Sequence, residues 1–107
     1  MNFKELGLSN DLVNTLSKMG INSPTPIQQE AIPLILNKKD IIAQSQTGTG
    51  KTFAFLLPIF ENINPKDNSI QGLIITPTRE LALQISQAAE KLNETKNINI
   101  LAAYGGK

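Results

Sequence analysis

The apolar run Ile41-Ile42-Ala43 leads directly into Gln44-Ser45-Gln46-Thr47-Gly48-Thr49-Gly50-Lys51-Thr52. The order predicts a strand, a glycine-bearing loop and a helix opening with Lys-Thr. This constrains the chain strongly, because it builds an anion site from backbone alone. Gly48 and Gly50 let the chain curl so that successive N–H groups face inward. A helix starting near Gly50 adds its positive dipole end and its unpaired N–H groups. Lys51 would reach the outer phosphates of a nucleoside triphosphate, and the Thr52 hydroxyl is placed for Mg²⁺. The strict pattern G-x-x-x-x-G-K-[ST] asks for Gly where Ser45 stands, but the Gly-x-Gly-Lys-Thr core survives. The competing reading is a glycine-rich turn with a chance lysine. The order of strand, loop and helix signals favours the phosphate site.

With 107 residues the chain has room for one small domain with one core. A hydrophobic content of 40% and a charged content of 18% fit a soluble globular class. No apolar run approaches the ~20 residues of a membrane span. The N-terminus lacks the apolar core of a signal peptide, so a cytoplasmic protein is the expectation. With no Cys and no His, disulfides, Ser-His or Cys-His nucleophilic catalysis and most zinc sites are excluded within the chain. The net charge of +1 gives no global field for nucleic acid, so any such contact must be local. Arg79 is the only arginine and so the only side chain able to grip a phosphate in bidentate fashion.

Along the chain, Ser9 reads as an N-cap for a helix over 10–19, with Gly20 as its stop. Thr25-Pro26-Ile27-Gln28 opens a second helix, with Pro33 inside it. The helix after the phosphate loop runs from Thr52 to about Ile63 and bends at Pro58. A polar loop follows, then an apolar run at 72–76 that predicts a buried strand. Thr78 caps an amphipathic helix to about Asn93, and 97–103 predicts a third strand. This alternation predicts an α/β fold with a parallel sheet flanked by helices. The phosphate loop, Pro77–Glu80 and Gly105-Gly106 all follow strand ends, where such folds place ligands. They are expected on one rim.

Four spaced motifs together resemble the DEAD-box RNA helicases, specifically the N-terminal portion of their first RecA-like P-loop NTPase domain. Gly20-Ile21-Asn22-Ser23-Pro24-Thr25-Pro26-Ile27-Gln28, with Phe3 seventeen positions before Gly20, looks like the adenine-recognising Q motif, here within 1–29. The phosphate loop, Pro77-Thr78-Arg79-Glu80-Leu81-Ala82 and Gly105-Gly106 follow in the family's order. The resemblance spans essentially all of residues 1–107.

It implies ATP and Mg²⁺ as cofactors, RNA as partner, and RNA-dependent ATP hydrolysis that locally unwinds duplexes in a full-length protein. ATP would be held by Phe3, Gln28, Ser45, Gln46, Thr47, Gly48, Thr49, Gly50, Lys51 and Thr52. Of these, Lys51 and Thr52 serve catalysis, and Thr52 also meets the metal. Gln28 would bond the adenine edge, since an amide offers the one donor and one acceptor that adenine N7 and N6 require. Phe3 would stack on the base. Two plainer readings stay open: Gln28 as the capping-box partner of Thr25, and Phe3 as core packing. Thr25 is either a helix cap alone or a contact to the phosphate loop. Pro77, Thr78, Arg79, Gly105 and Gly106 would contact the RNA backbone. For Arg79 the alternative is an ion pair with Glu80 or Glu90; for the glycines, an ordinary turn. Asn37-Lys38-Lys39-Asp40 spells a guanine-reading motif, but it precedes the strand and reads as a turn.

None of the nine acidic residues stands at the carboxyl end of an apolar strand. The family's Asp-Glu-Ala-Asp strand, its Ser-Ala-Thr segment and a second RecA-like domain would therefore lie beyond Lys107. The chain alone is expected to be catalytically incompetent. Without the later strands of the sheet it is also expected to be marginal, self-associating or partly molten. The alternatives are a fragment that binds ATP or RNA without turnover, and a different P-loop NTPase such as a nucleotide kinase or GTPase.

Overall fold

The structure, a computed structural model, describes residues 2–42 and 50–103. Four helices form one layer: α1 (Asn10–Lys18), α2 (Pro26–Leu36), α3 (Lys51–Asn62) and α4 (Arg79–Leu92), with a 3₁₀ turn, η1, at Asn93–Thr95. Each start has a local cause. The Ser9 hydroxyl accepts from the Leu12 N–H, and Thr78 Oγ1 accepts from the Leu81 N–H at 3.1 Å. Thr25 and Gln28 form a reciprocal capping box, with Pro26 at the first helical position. Gly20 follows α1 with φ of 82°, the left-handed turn that a helix stop requires. Pro33 and Pro58 lie inside α2 and α3, each removing one ladder donor from its helix.

Helix spacing explains the core. Leu12 and Leu16 of α1, Ile32 of α2, Leu56, Leu57 and Phe60 of α3, and Ile85, Ala89 and Leu92 of α4 face one another and are buried. Phe3, Leu6 and Leu8 close the cluster from a turn ahead of α1. That turn is fastened by reciprocal bonds between Asn2 and Glu5, whose side chains each accept the other's backbone N–H. Helix α1 is tied across the layer where Glu61 of α3 accepts the Ser9 N–H at 2.8 Å. The Lys18–Glu94 pair, at 3.4 Å with both side chains exposed, adds little.

Among the described residues no strand is formed. The predicted sheet is thus absent where it can be inspected: 41–42, 72–76 and 97–103 carry no regular secondary structure. A strand is stabilised by its neighbour, and among the described residues none of these segments forms a ladder with another. Their alternation is nonetheless that of strands packed on helices. Ile74, Ile98 and Ile100 pack against the core, while Leu73 (78% exposed), Ile75 (86%) and Leu101 (88%) are bare.

Side chains replace the missing ladder at two places. Asn93 pins Ile98 twice: its Oδ1 accepts the Ile98 N–H and its Nδ2 donates to the Ile98 carbonyl, both at 2.7 Å. Lys96 Nζ donates to the carbonyls of Glu61 and Ile63, at 3.0 and 2.6 Å, closing the C-terminal end of α3. In the exposed loop before 72–76, Gln71 both accepts from the Asn64 N–H and donates to its carbonyl. There the Ser69 N–H and hydroxyl hold the Asp67 carboxyl below its ordinary value. Removing the α4 cap with Thr78→Ala is expected to lower stability by about 1 kcal/mol, read by chemical denaturation. A change under about 0.3 kcal/mol would mean that solvent replaces the cap without loss.

Candidate nucleotide site

Gly50 stands at the N-terminus of α3 in the left-handed region, φ 87°, and among the described residues no side chain caps the helix. The first N–H groups of α3 are therefore directed at whatever lies before the helix. Lys51 is exposed and Thr52 half-buried, both in the first turn. A positive helix end, an ammonium and a hydroxyl in that order suit a phosphate chain and its Mg²⁺. Among the described residues no group of carboxylates or other ligands could hold a metal alone. Ser45, Gln46, Thr47, Gly48 and Thr49 lie outside the described residues.

The Q-motif segment meets this helix end directly. Gln28 is 3% exposed, and each of its two side-chain amide atoms has a polar partner. Its Oε1 accepts the Thr25 N–H at 3.0 Å, and its Nε2 donates to the Gly50 carbonyl at 3.0 Å. The same carbonyl accepts the Ala54 N–H at 3.1 Å. These bonds use one of two amide protons and one of two acceptor positions on the Gln28 amide. A Cβ on Gly50 would lie 2.5 Å from Gln28 Nε2 and 2.9 Å from Thr25 Oγ1 and Cγ2. Thr25 is thus both a helix cap and a contact of the phosphate-site helix, where the sequence left one or the other. Glycine at 50 is required twice, by φ and by space.

Phe3, for which two readings stood open, lies in the core. Its ring is 2% exposed and packed in the core cluster. The Asn2–Glu5 turn directs it inward, so it presents no open face on which a base could stack. The plainer of the two sequence readings, core packing, describes where it lies.

Pro77, Thr78 and Arg79 are exposed at the start of α4, and Arg79 is the first helical residue. Thr76 Oγ1 donates to the Thr78 carbonyl at 2.9 Å, fixing the turn. Thr76, Arg79, Ala102 and Ala103 border one cleft. Gly105 and Gly106 lie outside the described residues. Sequence reasoning missed Asn93 and Lys96, which brace the segment leading to Ala102 and Ala103. Their only signal is Asn97, an Asn whose positive φ turns the chain back toward α4.

Residues 25–107 match the family model described as DEAD/DEAH box helicase. The chain belongs to this family. A DEAD-box ATP-dependent RNA helicase CshA from Geobacillus kaustophilus is 48% identical over 98% of this chain and 22% of its own length. An ATP-dependent RNA helicase CshA from Listeria monocytogenes is 51% identical over 97% of this chain and 20% of its own. The chain therefore spans about a fifth of these helicases. Among solved structures, a DEAD box protein from Methanococcus jannaschii superimposes with a TM-score of 0.88 at 45% identity, covering 100% of this chain and 30% of the other. An S. cerevisiae protein bound to RNA and ADP BeF3 gives 0.81 at 41% identity, over 87% and 24%. A partial RecA-like domain fits this likeness to DEAD-box helicases. Among the described residues no helix is long and apolar enough to cross a membrane.

Proposed function

We propose that the chain is the ATP-binding segment of an RNA helicase, and that Gln28 couples recognition of the base to the phosphate site. The observation that carries this reading is the Gln28–Gly50 bond. One side chain offers an adenine-matched amide and grips the residue from which the phosphate-site helix starts. ATP binding would set Lys51 against the outer phosphates and Thr52 toward Mg²⁺, which lends charge stabilisation when present. Pro77, Thr78 and Arg79, with Gly105 and Gly106, would hold the RNA backbone. The S. cerevisiae relative that carries RNA and ADP BeF3 supports this assignment by likeness. Phe3 enters as a base platform only if its ring leaves the core.

The hydrolytic step belongs to the remainder of a helicase of the relatives' length. The missing charge stabilisers can each be worth on the order of 10³-fold in rate, so this chain alone is expected to bind ATP without turning it over.

Titration with Mg-ATP and Mg-GTP, followed by amide NMR, tests the reading. The amides of Gln28, Gly50, Lys51 and Thr52 are expected to shift with ATP and not with GTP. Gln28→Ala also removes the capping box, so its effect on ATP alone says little. The difference between nucleotides is the informative quantity. Loss of base readout would erase an ATP preference of about tenfold, whereas simple loosening of α2 would weaken both alike. Equal binding of both nucleotides by the unsubstituted chain would refute the adenine assignment.

A further inference from the structure

We infer that Lys96 is a positioning residue: it fastens the tail of α3, the helix of the phosphate site, to the tail of α4, the helix of Arg79, so that a nucleotide at the head of α3 is felt at the end of α4. The inference rests on the proposed function, which places ATP at the head of α3, and adds the residue that carries its effect onward.

Helices α3 and α4 each open on a candidate ligand group, and their far ends are joined. Helix α3 starts with Lys51 and Thr52, and α4 starts with Arg79. Along their flanks the two helices touch far less than α2 and α3 do. At their tails one side chain spans the gap. Lys96 directly follows the 3₁₀ turn that ends α4, and its Nζ donates to the carbonyls of Glu61 and Ile63 at the end of α3.

The chemistry of this contact makes it a gauge of where α3 lies. Among the described residues the ammonium meets these two carbonyls and no carboxylate. Glu61 is in the last turn of α3, where carbonyls lack a partner within the helix and carry the negative end of its dipole. A cation there satisfies an acceptor and offsets the dipole. The Glu61 carboxylate is engaged separately, accepting the Ser9 N–H at 2.8 Å. Lys96 thus grips the backbone of the helix, not a side chain that could swing to follow it.

The other side of the link is stiff as well. The N–H groups of Lys96 and Asn97 both donate to the Asn93 carbonyl, at 3.3 and 2.8 Å, which closes a tight turn. Asn93 then holds Ile98 through both of its backbone groups. Pro58 interrupts one rung of α3 midway, but Leu56, Leu57 and Phe60 on either side of it are set in one core. Head and tail of α3 therefore move as one piece. With Lys96 in place, a displacement of that piece pulls on the end of α4. Without it, α3 can shift against the sparse flank contacts alone.

Amide NMR of the 107-residue chain, with Mg-ATP as the ligand, tests this. The amides of Lys51 and Thr52 report the head of α3. Those of Asn93, Asn97 and Ile98 report the joined tails, about 18 Å away along a helix of 12 residues. Both sets are expected to shift along the same binding curve. Lys96→Met keeps the stem and removes the donor and the charge. It is expected to leave ATP affinity within about twofold, and to shrink the tail shifts by at least about threefold. Lys96→Arg, which keeps a cationic donor, is expected to retain them. If Lys96→Met does not fold, Lys96→Gln takes its place with the same expectations. Head shifts without tail shifts in the unsubstituted chain overturn the inference and leave the proposed function standing. Tail shifts that persist without the Lys96 ammonium also overturn it, and reduce Lys96 to a helix cap. Absence of head shifts removes the proposed function, and the inference with it.

Discussion

Leu57→Ala is expected to destabilise the chain by about 2–5 kcal/mol, enough to abolish cooperative folding at ordinary temperatures. Leu57 is 0% exposed and lies in the middle of α3, the helix against which α2 packs most extensively. Its neighbours Leu56 and Pro58 are buried as well, so the layer has little freedom to close over a cavity. A small domain of this kind has roughly 5–15 kcal/mol in total, and this one leaves several large apolar side chains in solvent. Denaturant titration followed by far-ultraviolet circular dichroism gives the answer. A loss below about 1 kcal/mol would show that α3 is loosely packed and that the described core is not what holds the chain together.

Gly50→Ala is the change expected to strike the candidate site hardest. A non-glycine residue in the left-handed region costs about 1–2 kcal/mol before any contact is considered. The added Cβ would also meet Gln28 Nε2 and both γ atoms of Thr25. Relief requires one of two movements. Either the Gln28 amide leaves the Gly50 carbonyl, or α3 slides away from α2. Both uncouple the base-reading segment from the phosphate end. The expected result is a stability loss of about 2 kcal/mol or more together with a loss of ATP binding of at least about tenfold. Calorimetric titration with Mg-ATP and a thermal melt measure the two effects on the same sample. A variant that melts lower and still binds ATP normally would show that the Thr25–Gln28–Gly50 contact is packing alone.

What the sequence made legible follows from the range of the physics involved. Ser9, Thr25 and Thr78 act on N–H groups three residues away, so their helices could be read from spacing alone. The capping box between Thr25 and Gln28 is equally local. The contact between Gln28 and Gly50 spans 22 positions and could only be anticipated through the family resemblance. The strands, none of which is formed among the described residues, differ from the helices in what they depend on. Residues 72–76 and 97–103 have the right composition, but a strand exists only with a partner, and the partner is not encoded in the segment. Phe3 was legible as apolar and aromatic. Its inward position depends on a turn made by Asn2 and Glu5, a pairing that neither residue announces. Asn93 and Lys96 were missed because a polar side chain at a helix end reads as solvated until its partner is known.

Helix α3 joins two properties that are usually separable. Its first turn carries Lys51 and Thr52, and its next turns carry Leu56, Leu57 and Phe60 of the core. A ligand that binds the head of α3 therefore binds only molecules in which the core has formed. Ligand occupancy and folding become linked equilibria: a nucleotide at a hundred times its dissociation constant would add about 2.7 kcal/mol to the folded state. For a chain with bare apolar segments, the cellular nucleotide pool would then act as a folding cofactor as well as a substrate supply.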